Sequence, residues 1–180
     1  DFSRLLAPPL DPNVIPLHCT RKTFRQAVEC LDDLLLPQLR QAIEEKHPVT
    51  LERSIENTDR TVGARISYEI GRKHGPAGLP KDTIQLCLNG SAGQSLGAFL
   101  TNGVTITVRG DANDYLGKGM AGGRIIVTPD PSAKLTAHEN IIAGNVILYG
   151  ATGGEVYLNG QAGERFAVRN SGADTVVEAV

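Results

Sequence analysis

The chain has 180 residues, of which 41% are hydrophobic, 21% charged and 4% aromatic, enough to enclose a core. Lysine and arginine total 18 against 20 aspartates and glutamates, and a net charge of −2 supplies no basic field for nucleic acid or an anionic membrane. No apolar run approaches the ~18 residues of a spanning helix, the N-terminus lacks the zones of a signal peptide, and the widely spaced Cys19, Cys30 and Cys87 fit reduced thiols rather than a disulfide framework, so the expected location is cytoplasmic or organellar.

Prolines at positions 8, 9, 12 and 16 make the opening stretch an extended linker, because proline fixes φ and donates no hydrogen bond. Thr23 and Gln26 fit a capping box that starts a short helix. A second helix is expected from about Asp33 to Lys46, with Leu35, Leu39 and Ile43 on one face and Pro37 in its first turn. Val49, Leu51 and Ile55 alternate with polar neighbours as a short strand. The segment Asn57-Thr-Asp-Arg-Thr-Val-Gly63 offers N-cap oxygens to a third helix carrying Val62, Ile66 and Ile70, which ends near Gly71 or Gly75. Asp59 and Arg60 at its entrance read as caps and solvated ends, or as contacts to an anion or a partner. Residues 1–80 thus form a linker and helical segment.

From Gly90 the sequence repeats every ten residues. The fourth position of each block is small or Asn: Gly93, Gly103, Asn113, Gly123, Ala133, Ala143, Gly153, Gly163 and Ala173. The seventh is apolar in every block except that of Thr136. Paired blocks of about twenty residues predict a solenoid over 81–180, with strands pairing from coil to coil, small residues turning the corners and apolar residues filling the inside. Strands are expected at Thr83–Leu88, Val104–Val108, Arg124–Val127, Val146–Leu148 and Glu155–Leu158.

Several strings imitate chemistry. Gly117-Lys-Gly119-Met-Ala-Gly122 matches G-x-G-x-x-G, but a strand-like run follows where a dinucleotide site needs a helix. Asp111 and Asp114 are spaced as paired carboxylates for sugar chemistry, and turn hydrogen bonding explains them as well. The four histidines have no ligand spacing, and Ser91 and Ser95 have no histidine nearby in sequence. No catalytic, cofactor-binding or metal-binding set emerges.

The segments Asn57–Gly63, Gly90–Phe99, Gly110–Gly123, Gly150–Val156 and Asn159–Gly172 closely resemble the C-terminal domain of the glutamate synthase large subunit, with similarity from about Leu31 onward. The resemblance implies a right-handed parallel β-helix, in agreement with the ten-residue period, without catalytic groups and packed against a glutaminase domain and a synthase domain that carries FMN and an iron–sulfur cluster. It also implies further coils beyond Val180. The missing initiator methionine and the closing apolar run Thr175–Val180 likewise read as a piece of a longer chain. Candidate structural or interdomain residues are Asn57, Asp59, Arg60, Gly90, Gly93, Gly110, Asn113, Asp114, Gly117, Gly119, Gly123 and Gly163. The expected partners are other domains or subunits of the synthase, with no small-molecule ligand for the segment itself. Two further readings stay open: a separately encoded subunit docking on a glutamate synthase or a formylmethanofuran dehydrogenase-like complex, and an independent carbohydrate-active protein using Asp111 and Asp114.

Overall fold

The structure, a computed structural model, describes residues 29–180. The proline-rich opening and the helix expected at Thr23 lie outside them.

Helix α1 spans Leu31–Glu45, and its stripe Leu35, Leu39, Ala42 and Ile43 is buried as the spacing requires. It starts where the Cys30 amide donates to Asp33 Oδ2 at 3.1 Å and stops where Lys46 turns into the left-handed region and returns its amide to the Ala42 carbonyl. Pro37 lies in the second turn rather than the first, on the exposed side. Strand β1, Val49–Ile55, follows, then helix α2, Ala64–His74, which buries Ile66 and Ile70. The two helices pack together, and His74 Nε2 donates to the Ile43 carbonyl at 2.6 Å.

Strands β2 (Ile84–Ala92), β3 (Val104–Ala112), β4 (Ala121–Thr128), β5 (Ile141–Ala143), β6 (Gly153–Ala162) and β7 (Asp174–Ala179) complete one seven-stranded sheet in which every pairing is parallel. Its order is β1-β2-β3-β4-β6-β5, with β7 beside β6. One face is apolar: Ile84, Leu86, Leu88, Ile106, Val108, Ile125, Val127, Val156 and Leu158 are buried in the same core as the helix stripes. Each such side chain contributes about 1.5–3 kcal/mol relative to exposure.

The expectation of a right-handed parallel β-helix is corrected here: the fold is a single parallel sheet with two α-helices. The blocks between the long strands consist largely of turns. Residues 94–99, 114–119 and 164–169 are turns, and so is 147–150, which displaces the strand expected at Val146–Leu148. Their backbone alternates through positive φ at Ser95, Gly97 and Phe99 and again at Tyr115, Gly117 and Gly119, a sequence of angles that no extended strand adopts.

The period is also uneven. Ile84 pairs with Val104, twenty residues on, but Thr105 pairs with Arg124, nineteen on, and Arg124 with Glu155, thirty-one on. The extra length is the stretch from Pro129 to Asn140, and it accounts for the weak block at Thr136. Because one slipped residue reverses the faces of a strand, Ile126 and Val176 at the seventh position turn outward while Ile125 and Val177 turn in.

Candidate functional site

The turns stack into a layer across the apolar face of the sheet, and every second residue in them donates its amide to a neighbouring turn. The first and third donors point forward: Ser95 to Asp114 at 2.8 Å, Tyr115 to Asn145 at 2.9 Å, Val146 to Glu164 at 2.9 Å, Phe99 to Lys118 at 2.8 Å and Gly119 to Tyr149 at 2.9 Å. The middle donor points back: Gly97 to Val62, Gly117 to Leu96, Leu148 to Leu116 and Ala167 to Ile147. The result is a continuous ladder that satisfies these backbone groups without strands.

The first rung has no earlier turn to accept its middle donor, Gly63. Asp32 supplies the acceptor instead. Its carboxylate, 2% exposed, takes hydrogen bonds from the amides of Gly63 at 2.8 Å, Arg65 at 2.9 Å and Ile66 at 3.4 Å. One side chain therefore closes the ladder and caps α2, a role the sequence reading gave to Asn57–Gly63. Burial pushes the Asp32 carboxyl above its ordinary value, and these amide donors pull against that shift. The signal for it was present in the sequence: Asp32 stands three residues before Leu35, on the apolar stripe.

Around it, Asp33 is held below its ordinary value by the Cys30 thiol and amide, and it also pairs with Arg65. On the far side of the sheet, a cleft of about 380 Å³ is lined by Lys81, Asp82, Thr105, Arg124 and Glu155. Arg124 Nε donates to Glu155 at 2.6 Å, Lys81 lies 3.4 Å from the same carboxylate, and Thr105 donates to Asp82 at 2.7 Å. The hydrogen bond from Arg124 holds the Glu155 carboxyl down. These charges neutralise one another.

Most of the predicted candidates fall into files along the stack, not into a pocket. Gly93 abuts the carbonyls of Asn57 and Asp59, each 2.6 Å from where a Cβ would sit. In the same corner file, Asn113 donates to the Ala92 carbonyl and Gly163 to the carbonyls of Ala143 and Gly144. Gly90 and Gly110 form a second file at the ends of β2 and β3, Gly90 against the Ile55 carbonyl and Gly110 against that of Gly90. At Gly123 a Cβ would sit 2.7 Å from the carbonyl oxygens of Thr101 and Val104. Gly117 and Gly119 are ladder positions, so the G-x-G-x-x-G amides are engaged by protein carbonyls, and β4 follows as expected. Asp114 accepts from the Asn145 amide at 2.7 Å and Asp111 from Ser91 at 3.1 Å, which accounts for both carboxylates as corner groups. Asp59 accepts from the Glu56 amide, and Arg60 is exposed on the rim.

Residues 32–180 match the family described as GXGXG motif. Over all of its length the chain is 45% identical to the NADH glutamate synthase of Saccharomyces cerevisiae, of which it covers 8%. It is 49% identical over 81% of its length to the NADPH glutamate synthase large chain of Bacillus subtilis, covering 10% of that protein. Over 82% of its length it is 49% identical to ferredoxin-dependent glutamate synthase 2 of Synechocystis, covering 9%. The chain thus spans about a tenth of the length of these curated relatives, in each of which the matched part is a segment of a much longer glutamate synthase. The resemblance read from the glycine-rich segments is borne out, and with the family match taking in both helices and every strand, the chain belongs to the GXGXG motif family.

Proposed function

We propose that this chain is a non-catalytic structural domain of a glutamate synthase, the enzyme that makes glutamate from glutamine and 2-oxoglutarate, and that it packs against the glutaminase and FMN/iron–sulfur domains. The observation that carries this reading is the similarity to glutamate synthases over the whole chain. The chemistry of the segment supports it. Asp32, Asp111, Asp114 and the G-x-G-x-x-G amides are all engaged in holding the stack, as are the close backbone approaches at Gly93 and Gly123.

FMN and the iron–sulfur cluster belong, in this reading, to the rest of the enzyme. The residues present do not fit a cluster, which needs several converging thiolates: Cys30 precedes α1 and Cys87 lies in β2, and among the described residues no three His, Cys, Asp or Glu side chains are grouped to hold a metal. Relatives of equal similarity are named for NADPH and for ferredoxin, so the choice of electron donor is assigned to other parts of the protein. A reducing compartment, cytoplasmic or organellar, goes with this role.

The test is the intact mass and absorption spectrum of the natural gene product. A product far heavier than 19.2 kDa, with flavin and iron–sulfur bands and glutamate-forming activity, is the expected result. A colourless product of about this mass would overturn it.

A further inference from the structure

The exposed side of the turn ladder carries aromatic and cationic side chains on consecutive rungs. Phe99 is 61% exposed, Tyr115 38% and Tyr149 37%. Their rungs are neighbours, because the Phe99 amide bonds to the Lys118 carbonyl and the Gly119 amide to that of Tyr149, and the Phe99 ring lies against Gly119. Lys118 Nζ stands 5.5 Å from the centre of the Tyr115 ring. The last rung adds Arg165 and Arg169, both exposed.

Three features combine on this surface. Its backbone is fixed, since Phe99, Tyr115, Arg165 and Arg169 all sit at positive φ and the rungs are bonded together, so little ordering is lost when a partner arrives. Its cations are unpaired: among the described residues Lys118, Arg165 and Arg169 form no ion pair, and three cations against the two carboxylates of the same rungs, Asp114 and Glu164, leave one net positive charge. On the outer face of the sheet, by contrast, Arg109 pairs with Glu52 and Arg124 with Glu155. Its composition, finally, is that of an interface centre, where tyrosine, phenylalanine and arginine are enriched and carry most of the binding energy.

We infer that the ladder face is the docking surface, and that its occupant is an acidic surface with an apolar centre on another domain of the same polypeptide. The inference rests on the function proposed above and names the face and the chemistry that meets it. Three unpaired cations around exposed rings select a carboxylate-rich partner by charge complementarity, and the rings supply the desolvated centre.

Hydroxyl-radical footprinting of the full-length natural protein tests this. Phe99, Tyr115 and Tyr149 are expected to label several-fold more slowly than Tyr157, which is 39% exposed on the outer face of the sheet. Combined Lys118→Glu, Arg165→Glu and Arg169→Glu substitutions should raise labelling of the three rings while leaving Tyr157 unchanged. Rings that label as fast as Tyr157, in a protein whose mass and spectrum are those of a glutamate synthase, would overturn the docking face and leave the proposed function standing. Protection indifferent to the charge reversals would overturn the acidic partner, and protection lost on dilution to the monomer would assign the face to a second copy instead. A small colourless product would overturn both readings.

Discussion

Replacing Asp32 with alanine removes the acceptor that closes the ladder. Three amides lose their partner, and two of them, those of Gly63 and Ile66, belong to buried residues. An unsatisfied buried donor costs about 1–3 kcal/mol, and the lost carboxylate returns part of its own burial cost, so Asp32→Ala should destabilise the fold by about 2–4 kcal/mol. Asp32→Asn keeps one acceptor oxygen and should cost less. Urea denaturation measures this as a lower midpoint at unchanged slope. A loss within about 0.5 kcal/mol, the range of ordinary surface substitutions, would refute the capping role. The pH dependence gives a second readout. Burial raises the folded-state pKa of Asp32 above its reference value of 3.8, so the folded state holds this proton more tightly. Its contribution is full below 3.8 and fades as the pH rises through the raised value, so the parent should gain stability relative to Asp32→Asn on acidification.

Glu155 should show the opposite trend. Its folded-state pKa lies below the reference value of 4.5, so its contribution is present above 4.5 and lost as the pH falls through the lowered value; the small difference between parent and Glu155→Gln should vanish in acid and shrink with salt. Gly93→Ala places a Cβ 2.6 Å from two backbone oxygens that cannot swing aside, and a loss of about 3 kcal/mol in thermal or urea unfolding is expected. Gly150→Ala meets open space at a φ of +67° and should cost only about 1–2 kcal/mol, the left-handed penalty alone. Pro37→Ala restores a helical amide in the exposed second turn of α1 and should stabilise by about 1–2 kcal/mol, less than the full ~3 kcal/mol propensity difference because the unfolded chain regains freedom.

Where apolar spacing alone fixes the answer, the chain is legible as a sequence. The Leu35–Leu39–Ile43 stripe locates α1, Ile66 and Ile70 locate α2, with Val62 falling in the turn before it, and the runs at Ile84, Val104 and Arg124 locate β2, β3 and β4. The blocks between strands are misread because Leu96 and Leu116 are apolar and buried just as strand residues are. What makes them turns is the alternation of positive φ, and Ser95, Phe99 and Tyr115 do not announce it by residue type. The slip at Arg124 and the insertion before Ile141 escape a ten-residue count because small and apolar residues recur often enough to keep it apparently in phase. Asp32 is missed for a different reason. Its partners are more than thirty residues away, and local capping logic looks only at the residues just before α2.

The glycine and asparagine candidates were legible as corner residues, since close backbone approach leaves glycine little alternative at Gly93 and Gly110. The aromatic ladder face was not, because Phe99, Tyr115 and Tyr149 are separated by sixteen and thirty-four residues and become neighbours only through the rungs.

The proposed role of this domain is to hold geometry without taking part in the chemistry. Its most direct test is turnover per bound flavin in the full-length enzyme carrying Asp59→Asn, Arg60→Gln and Asp111→Asn, the accessible polar groups nearest to the candidate corners. Unchanged kcat and KM at full flavin occupancy are the expected result. A fall in kcat of about tenfold or more, equal to about 1.4 kcal/mol of lost transition-state stabilisation, in a folded and fully loaded enzyme would contradict it.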